Sequence, residues 1–134
     1  MIVVDANILI YSLIEGGYSP LVQRLRERDA DWRTAGLCLH EVLNVLATCQ
    51  RRGVLKLSQC NKLLDHAERF MKVAQCEVKM DAALAVAAKY AITGYDAQYV
   101  ALAQSLDAPL ITEDCKLRDA VPGIAFFMQE FLVQ

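Results

Sequence analysis

At 134 residues the chain has the length of one domain with a substantial buried core. Hydrophobic residues make up 55% of it and the mean hydropathy is positive, yet no run reaches the ~18 uncharged apolar residues of a membrane span. The N-terminus also lacks the basic region and cleavage pattern of a signal peptide. Fourteen Lys and Arg stand against 16 Asp and Glu, a net charge of -2, which argues against passive coating of nucleic acid but not against catalysis on it.

In chain order, short β-like runs alternate with longer helical ones. "IVV" at 2–4 reads as a strand, and "NILIYSLIEGG" as a helix closed by Gly16 and Gly17. Ser19-Pro20 suits the start of a helix running through Arg28, with the serine as cap and the proline in the first turn. "WRTAG" at 32–36 is a weaker strand candidate. Leu39, Val42, Val45, Leu46 and Cys49 keep helical spacing up to about Arg52, where Gly53 ends the segment. A helix from Ser58 to about Ala74 then pairs back against it as a hairpin. "CEVKM" reads as a strand, and Asp81 as the cap of the alanine-rich "AALAVAAKYAITG". "YDAQYVALAQSL" reads as a helix, "APLIT" as a buried strand, "DCKLRDA" as a short helix and "IAFFM" as a last strand.

This alternation predicts an α/β domain over residues 1–134, with a mainly parallel sheet covered by helices on both faces, a three-layer α/β/α sandwich. The surplus hydrophobicity fits such a covered sheet, with an apolar subunit interface as a further outlet. The five cysteines (Cys38, Cys49, Cys60, Cys76 and Cys115) include no CxxC pair, which suggests reduced thiols in the cytosol. Cys38 and His40 lack the second ligand pair that structural zinc would need.

In parallel sheets ligands collect beyond the carboxyl ends of the strands. Asp5 directly follows the first strand, and Asp114 follows "PLIT" with only Glu113 between. Glu41 and Asp96 fall at helix starts, which lie at the same edge. Taken singly, each acid has a structural explanation as a helix cap or a dipole partner. Together they describe a site for a hard divalent cation, since crowded carboxylates repel one another unless metal binds. Such a cation activates water for attack on a phosphodiester and stabilises charge on the phosphate. With four acids set aside for metal, 12 acids remain against 14 bases, leaving the rest of the surface slightly basic.

"VVDANILIY", "LHEVLNVL" and "TGYDAQYVALAQSLDAPLITEDCKL" resemble the three sequence blocks of PIN-domain ribonucleases, most closely the small VapC-type toxins of prokaryotic toxin–antitoxin pairs. The resemblance covers nearly the whole chain, with the blocks in the right order. It implies a metal-dependent endoribonuclease, with Asp5, Glu41, Asp96 and Asp114 as catalytic carboxylates holding one or two Mg²⁺ or Mn²⁺ ions. The products would carry 5′-phosphate and 3′-hydroxyl ends. Thr112 and Asn7 rank as supporting residues; strand alternation would point Thr112 and Asp114 the same way, and Asn7 reads equally well as a helix cap. The resemblance further implies an RNA substrate, a small antitoxin whose tail enters the acidic cleft, a homodimer and a cytoplasmic location without membrane contact.

Two positions depart from the family pattern. His40 stands where a smaller or apolar residue is usual; contact with substrate or antitoxin is the lesser reading, because as a helix neighbour of Glu41 it is not expected to share its face. Cys115 stands where a basic residue is common. Glu113 is expected to face away from the site. The arginines at 24, 26, 28 and 33 and the group Arg51, Arg52 and Lys56 read as solvated faces or helix ends, with an RNA path as the alternative. Tyr11, Tyr95, Tyr99 and Trp32 read mostly as packing residues; Asp65 and His66 carry no assigned chemistry. A catalytically inactive PIN-like binding module is the competing function. A phosphatase or receiver is disfavoured, because Asn7 breaks Asp-x-Asp and no late-strand lysine is found.

Overall fold

The computed structural model describes residues 1–134. Five parallel strands, β1 (Ile2–Val4), β2 (Trp32–Ala35), β3 (Gln75–Cys76), β4 (Leu110–Ile111) and β5 (Ala125–Phe126), form one sheet in the order β3-β2-β1-β4-β5. Eight helices connect and cover them: α1 (Ala6–Leu13), α2 (Ser19–Arg28), α3 (Leu37–Arg51), α4 (Leu57–Ala74), α5 (Met80–Tyr90), α6 (Gly94–Leu106), α7 (Cys115–Ala120) and α8 (Met128–Leu132). None of them is long and apolar enough to cross a membrane.

The first strand shows why the sheet must be covered twice. Ile2, Val3 and Val4 are all fully buried. Strand alternation sends Ile2 and Val4 to one face and Val3 to the other. Val3 joins a 23-residue core with residues of α3, α4, α5 and α6. Ile2 and Val4 join a core of eight with Val22 and Leu25 of α2, Trp32, Ile111 and Met128. One layer is therefore thick and the other thin. α1 spans the two, sending Ile8 into the small core and Leu9 and Ile10 into the large one.

β1 lies in the middle, with Val3 opposite Arg33 on β2 and opposite Leu110 on β4. The chain builds outward from β1 to β2 and β3, then crosses back to β4 and β5. The order of winding thus reverses between β1 and β4, which opens a crevice beyond their carboxyl ends. α6, buried nearly all round, packs on β1, β2 and β4 and brings its N-terminus to that crevice.

Several local expectations need correction. Ser19 is the first residue of α2 rather than its cap; its hydroxyl accepts instead from the backbone N–H of Gly16, 2.9 Å away. Asp81 lies inside the first turn of α5, which Lys79 precedes as cap residue. The alanine-rich helix stops at Tyr90, and Ala91 turns left-handed with φ 53°. Thr93 then caps a new helix. Only Gln75 and Cys76 of the third strand region pair with β2, because Met80 is already helical. The final strand ends at Phe126, and Met128 starts α8.

Candidate functional site

A cavity of about 550 Å³ lies beyond the β1 and β4 ends, and Asp5, Glu41, Asp96 and Asp114 all line it. Each acid arrives from a different segment for a local reason. Asp5 ends β1 in extended conformation and caps α1, its Oδ1 accepting from the Ile8 N–H at 3.2 Å. Glu41 sits one turn into α3. Asp96 lies in the first turn of α6, which Thr93 holds by accepting the Asp96 N–H on its Oγ1 at 3.1 Å. Asp114 caps α7, its Oδ1 accepting from the N–H groups of Lys116 and Leu117 at 2.9 and 3.1 Å.

Thr112 is fully buried beneath these acids. Its hydroxyl donates to Asp5 Oδ2 at 2.5 Å and accepts the Asp114 N–H at 3.0 Å, tying the ends of β1 and β4 together. Asn7 lines the cavity from the first turn of α1. It is not the helix cap, because Asp5 fills that role. Glu113 turns away, its Oε1 accepting from the Met128 N–H at 3.2 Å.

The lining contains four carboxylates and no Lys or Arg. Burial, in spite of hydrogen bonds from Thr112 and Ile8, pushes the Asp5 carboxyl up to about 6, and the charges of Glu41 and Asp96 push the same way. Asp96 is raised too, first by burial and then by Asp114 and Glu41. The site thus holds negative charge that no basic side chain neutralises.

A hard divalent cation fits this donor set. The only hydrogen bonds Asp114 receives fall on Oδ1, which leaves its second oxygen without a protein donor. No three of the acids, as placed, are gathered tightly enough to enclose one ion by themselves. Ligation would therefore draw on water as well as on these carboxylates, which is the habit of Mg²⁺.

Four residues at the cavity were given no site role in the sequence. His40 shares it with Glu41, contrary to the expectation from helix geometry, because the opening is wide enough to take in adjacent positions of α3; Asn44, one turn further, lines it as well. Tyr95 stands at the rim, 66% exposed. Tyr99 is 1% exposed, yet its hydroxyl donates to Glu41 Oε1 at 2.5 Å. Apolar patterning hides this role, since a tyrosine inside "YVALA" looks like core. The one available signal was its spacing of three from Asp96, which puts both on one side of α6.

The basic stretches part company. Arg26 stacks over Trp32, Arg28 donates to the Gln134 carbonyl and Arg33 pairs with Asp31, so all three have local duties. Arg51, Arg52 and Lys56 are exposed and enter no ion pair. Tyr11 stacks on Tyr18 with ring centroids 4.4 Å apart.

An α/β/α sandwich with acids from four segments meeting at the sheet's switch point is the arrangement of a PIN domain. Residues 2–121 match the family model for the PIN domain, and the chain belongs to that family. It is 32% identical over 127 residues to Ribonuclease VapC3 of Pyrobaculum aerophilum, an alignment covering 92% of this chain and 96% of that one. The crystal structure of PAE2754 from Pyrobaculum aerophilum shares the fold with a TM-score of 0.75 at 23% identity, covering 98% of this chain and 92% of that one. A toxin–antitoxin complex from Klebsiella pneumoniae contains a chain of the same fold, with a TM-score of 0.69 at 17% identity and coverage of 96% and 98%.

Proposed function

We propose that this protein is a metal-dependent endoribonuclease that hydrolyses RNA phosphodiester bonds, and that it is the toxin of a toxin–antitoxin pair. The observation that carries the reading is the cavity itself, where four carboxylates meet with no lysine or arginine beside them. Membership of the PIN family and likeness to a named ribonuclease support the same reaction. Asp5, Glu41, Asp96 and Asp114 would hold one or two Mg²⁺ or Mn²⁺ ions. When bound, the metal would supply an activated water and stabilise charge on the scissile phosphate.

The chain's own groups prepare that chemistry. Thr112 steadies Asp5 and the backbone of Asp114 at once, so the two strand-end acids keep their relative placement. Asn7 at the cavity wall is a further polar contact for substrate or metal-bound solvent. The negative lining excludes an RNA phosphate until cation is present, which makes metal and substrate binding cooperative.

A small antitoxin is the proposed inhibitor, in keeping with the toxin–antitoxin complex from Klebsiella pneumoniae. A basic side chain from its tail would satisfy the uncompensated carboxylates as a metal does. We further propose a homodimer acting in the cytoplasm.

Cleavage of a mixed RNA substrate with Mg²⁺, Mn²⁺ or chelator tests the reading. Wild type should cut with either metal and stop with chelator. Asp5→Asn and Asp96→Asn should each lower the rate more than about 100-fold, beyond the 10- to 100-fold typical of outer-shell changes. Full metal-dependent activity in Asp96→Asn would overturn the assignment. Calorimetry showing no Mn²⁺ binding by wild type would favour the inactive binding module instead.

A further inference from the structure

We infer that Tyr99 is the positioning residue for Glu41: its buried hydroxyl engages Oε1, turns Oε2 toward the cavity, and so sets the protein's affinity for divalent metal. The inference rests on the metal-site reading above. It concerns a residue that acts through the carboxylate it holds.

The four acids differ in how they are held. Asp5 receives hydrogen bonds on both oxygens, from Ile8 and Thr112. Asp114 receives two from the backbone of its own helix. Asp96 has a short side chain on a first turn fixed by Thr93. Glu41 has the longest and most flexible side chain of the set, and Tyr99 makes its only hydrogen bond, at 2.5 Å. Long side chains lose the most rotamer freedom when ordered, so the one tether decides whether that loss is met before metal arrives or at binding.

Tyr99 is suited to the task. Its ring is 1% exposed and belongs to the large core, so packing fixes the direction of its hydroxyl. It stands three residues after Asp96 on α6, so one helix both presents an acid and orients another from α3. With Oε1 engaged on the protein side, Glu41 is arranged as a single-oxygen ligand through Oε2. That leaves room for the waters Mg²⁺ retains.

The test is Tyr99→Phe, which deletes one oxygen and leaves the packed ring. Calorimetric titration with Mn²⁺ should show affinity reduced about 10-fold, in the range of outer-shell substitutions, with melting temperature nearly unchanged. At subsaturating Mn²⁺ the cleavage rate should fall, and it should recover at high Mn²⁺ with the RNA KM unaltered. In a Glu41→Gln background the same deletion should produce less than a 2-fold change, because the hydroxyl acts through Glu41 alone. Equal Mn²⁺ affinity in wild type and Tyr99→Phe overturns the inference while the metal site stands. So does an undiminished loss in the Glu41→Gln background, which would make Tyr99 a packing residue. Absence of Mn²⁺ binding in wild type itself removes the metal reading and this inference with it.

Discussion

Asp5 illustrates how a carboxylate proposed for a metal site strains the fold that carries it. Its carboxyl lies near 6 in the folded protein against 3.8 for a free side chain, and the cause is burial first. Between those values the metal-free folded state holds a proton that the unfolded chain has released, so stability falls as pH rises from about 4 to about 6. At roughly 1.4 kcal/mol per unit, the ionised Asp5 costs about 3 kcal/mol at neutral pH. Asp5→Asn should therefore stabilise the metal-free protein at pH 7. The gain should be nearer 2 kcal/mol, because Thr112 would lose the acceptor for its hydroxyl proton, an exchange worth about 1 kcal/mol. Denaturant melts at pH 4.5 and 7 check this: the gain should appear at pH 7 and shrink at 4.5. A variant less stable than wild type at pH 7 would contradict the burial argument. Metal binding should weaken as pH drops through about 6, since the proton and the cation compete for one carboxylate.

At the scale of elements, the long pieces were readable and the joints were not. β1, α3, α4 and α6 announce themselves through apolar runs or helical spacing, and the edge rule for parallel sheets pointed Asp5, Glu41, Asp96 and Asp114 to a common side. The break between α5 and α6 was obscured because Ala91, not glycine, takes the left-handed position, so the alanine-rich pattern ran on toward Gly94. β3 pairs over two residues, too few for any period to register, so "CEVKM" placed it late, whereas the apolar "APLIT" did locate β4. Tyr99 and Thr112 escaped or were ranked low for a different reason: a hydroxyl on an otherwise apolar face gains its meaning only from a partner remote in sequence. Ala91 itself yields a prediction. A β-carbon in the left-handed region costs roughly 1 kcal/mol relative to glycine. Ala91→Gly should raise the melting temperature by a few degrees in a scanning melt and leave RNA cleavage unchanged. A lower melting temperature would mean the alanine methyl packs to more effect than its backbone strain costs.

For the whole molecule, charge is sorted by place: negative inside the cleft, with free positive groups at the far end of α3. Arg51 lies ten residues beyond Glu41, about 15 Å along the helix axis, a span a bound strand would cover in a few nucleotides. Replacing Arg51 and Arg52 together by Gln, in the cleavage-defective Asp96→Asn background, should weaken RNA binding. It should also flatten the plot of log affinity against log salt by about 1.4, at ~0.7 for each lost single-strand phosphate contact. An unchanged slope would return both arginines to the role of solvated helix ends. The bond joining Thr112 to Asp5 spans 107 residues and links the ends of β1, the central strand of the sheet, and its neighbour β4. During synthesis Asp5 is made first and Asp114 more than a hundred residues later, so no partial chain short of β4 owns the site. Under the proposed toxin function, the hazard would begin only after β4 has been translated and has found β1, which leaves an interval in which an inhibitor made alongside would be waiting.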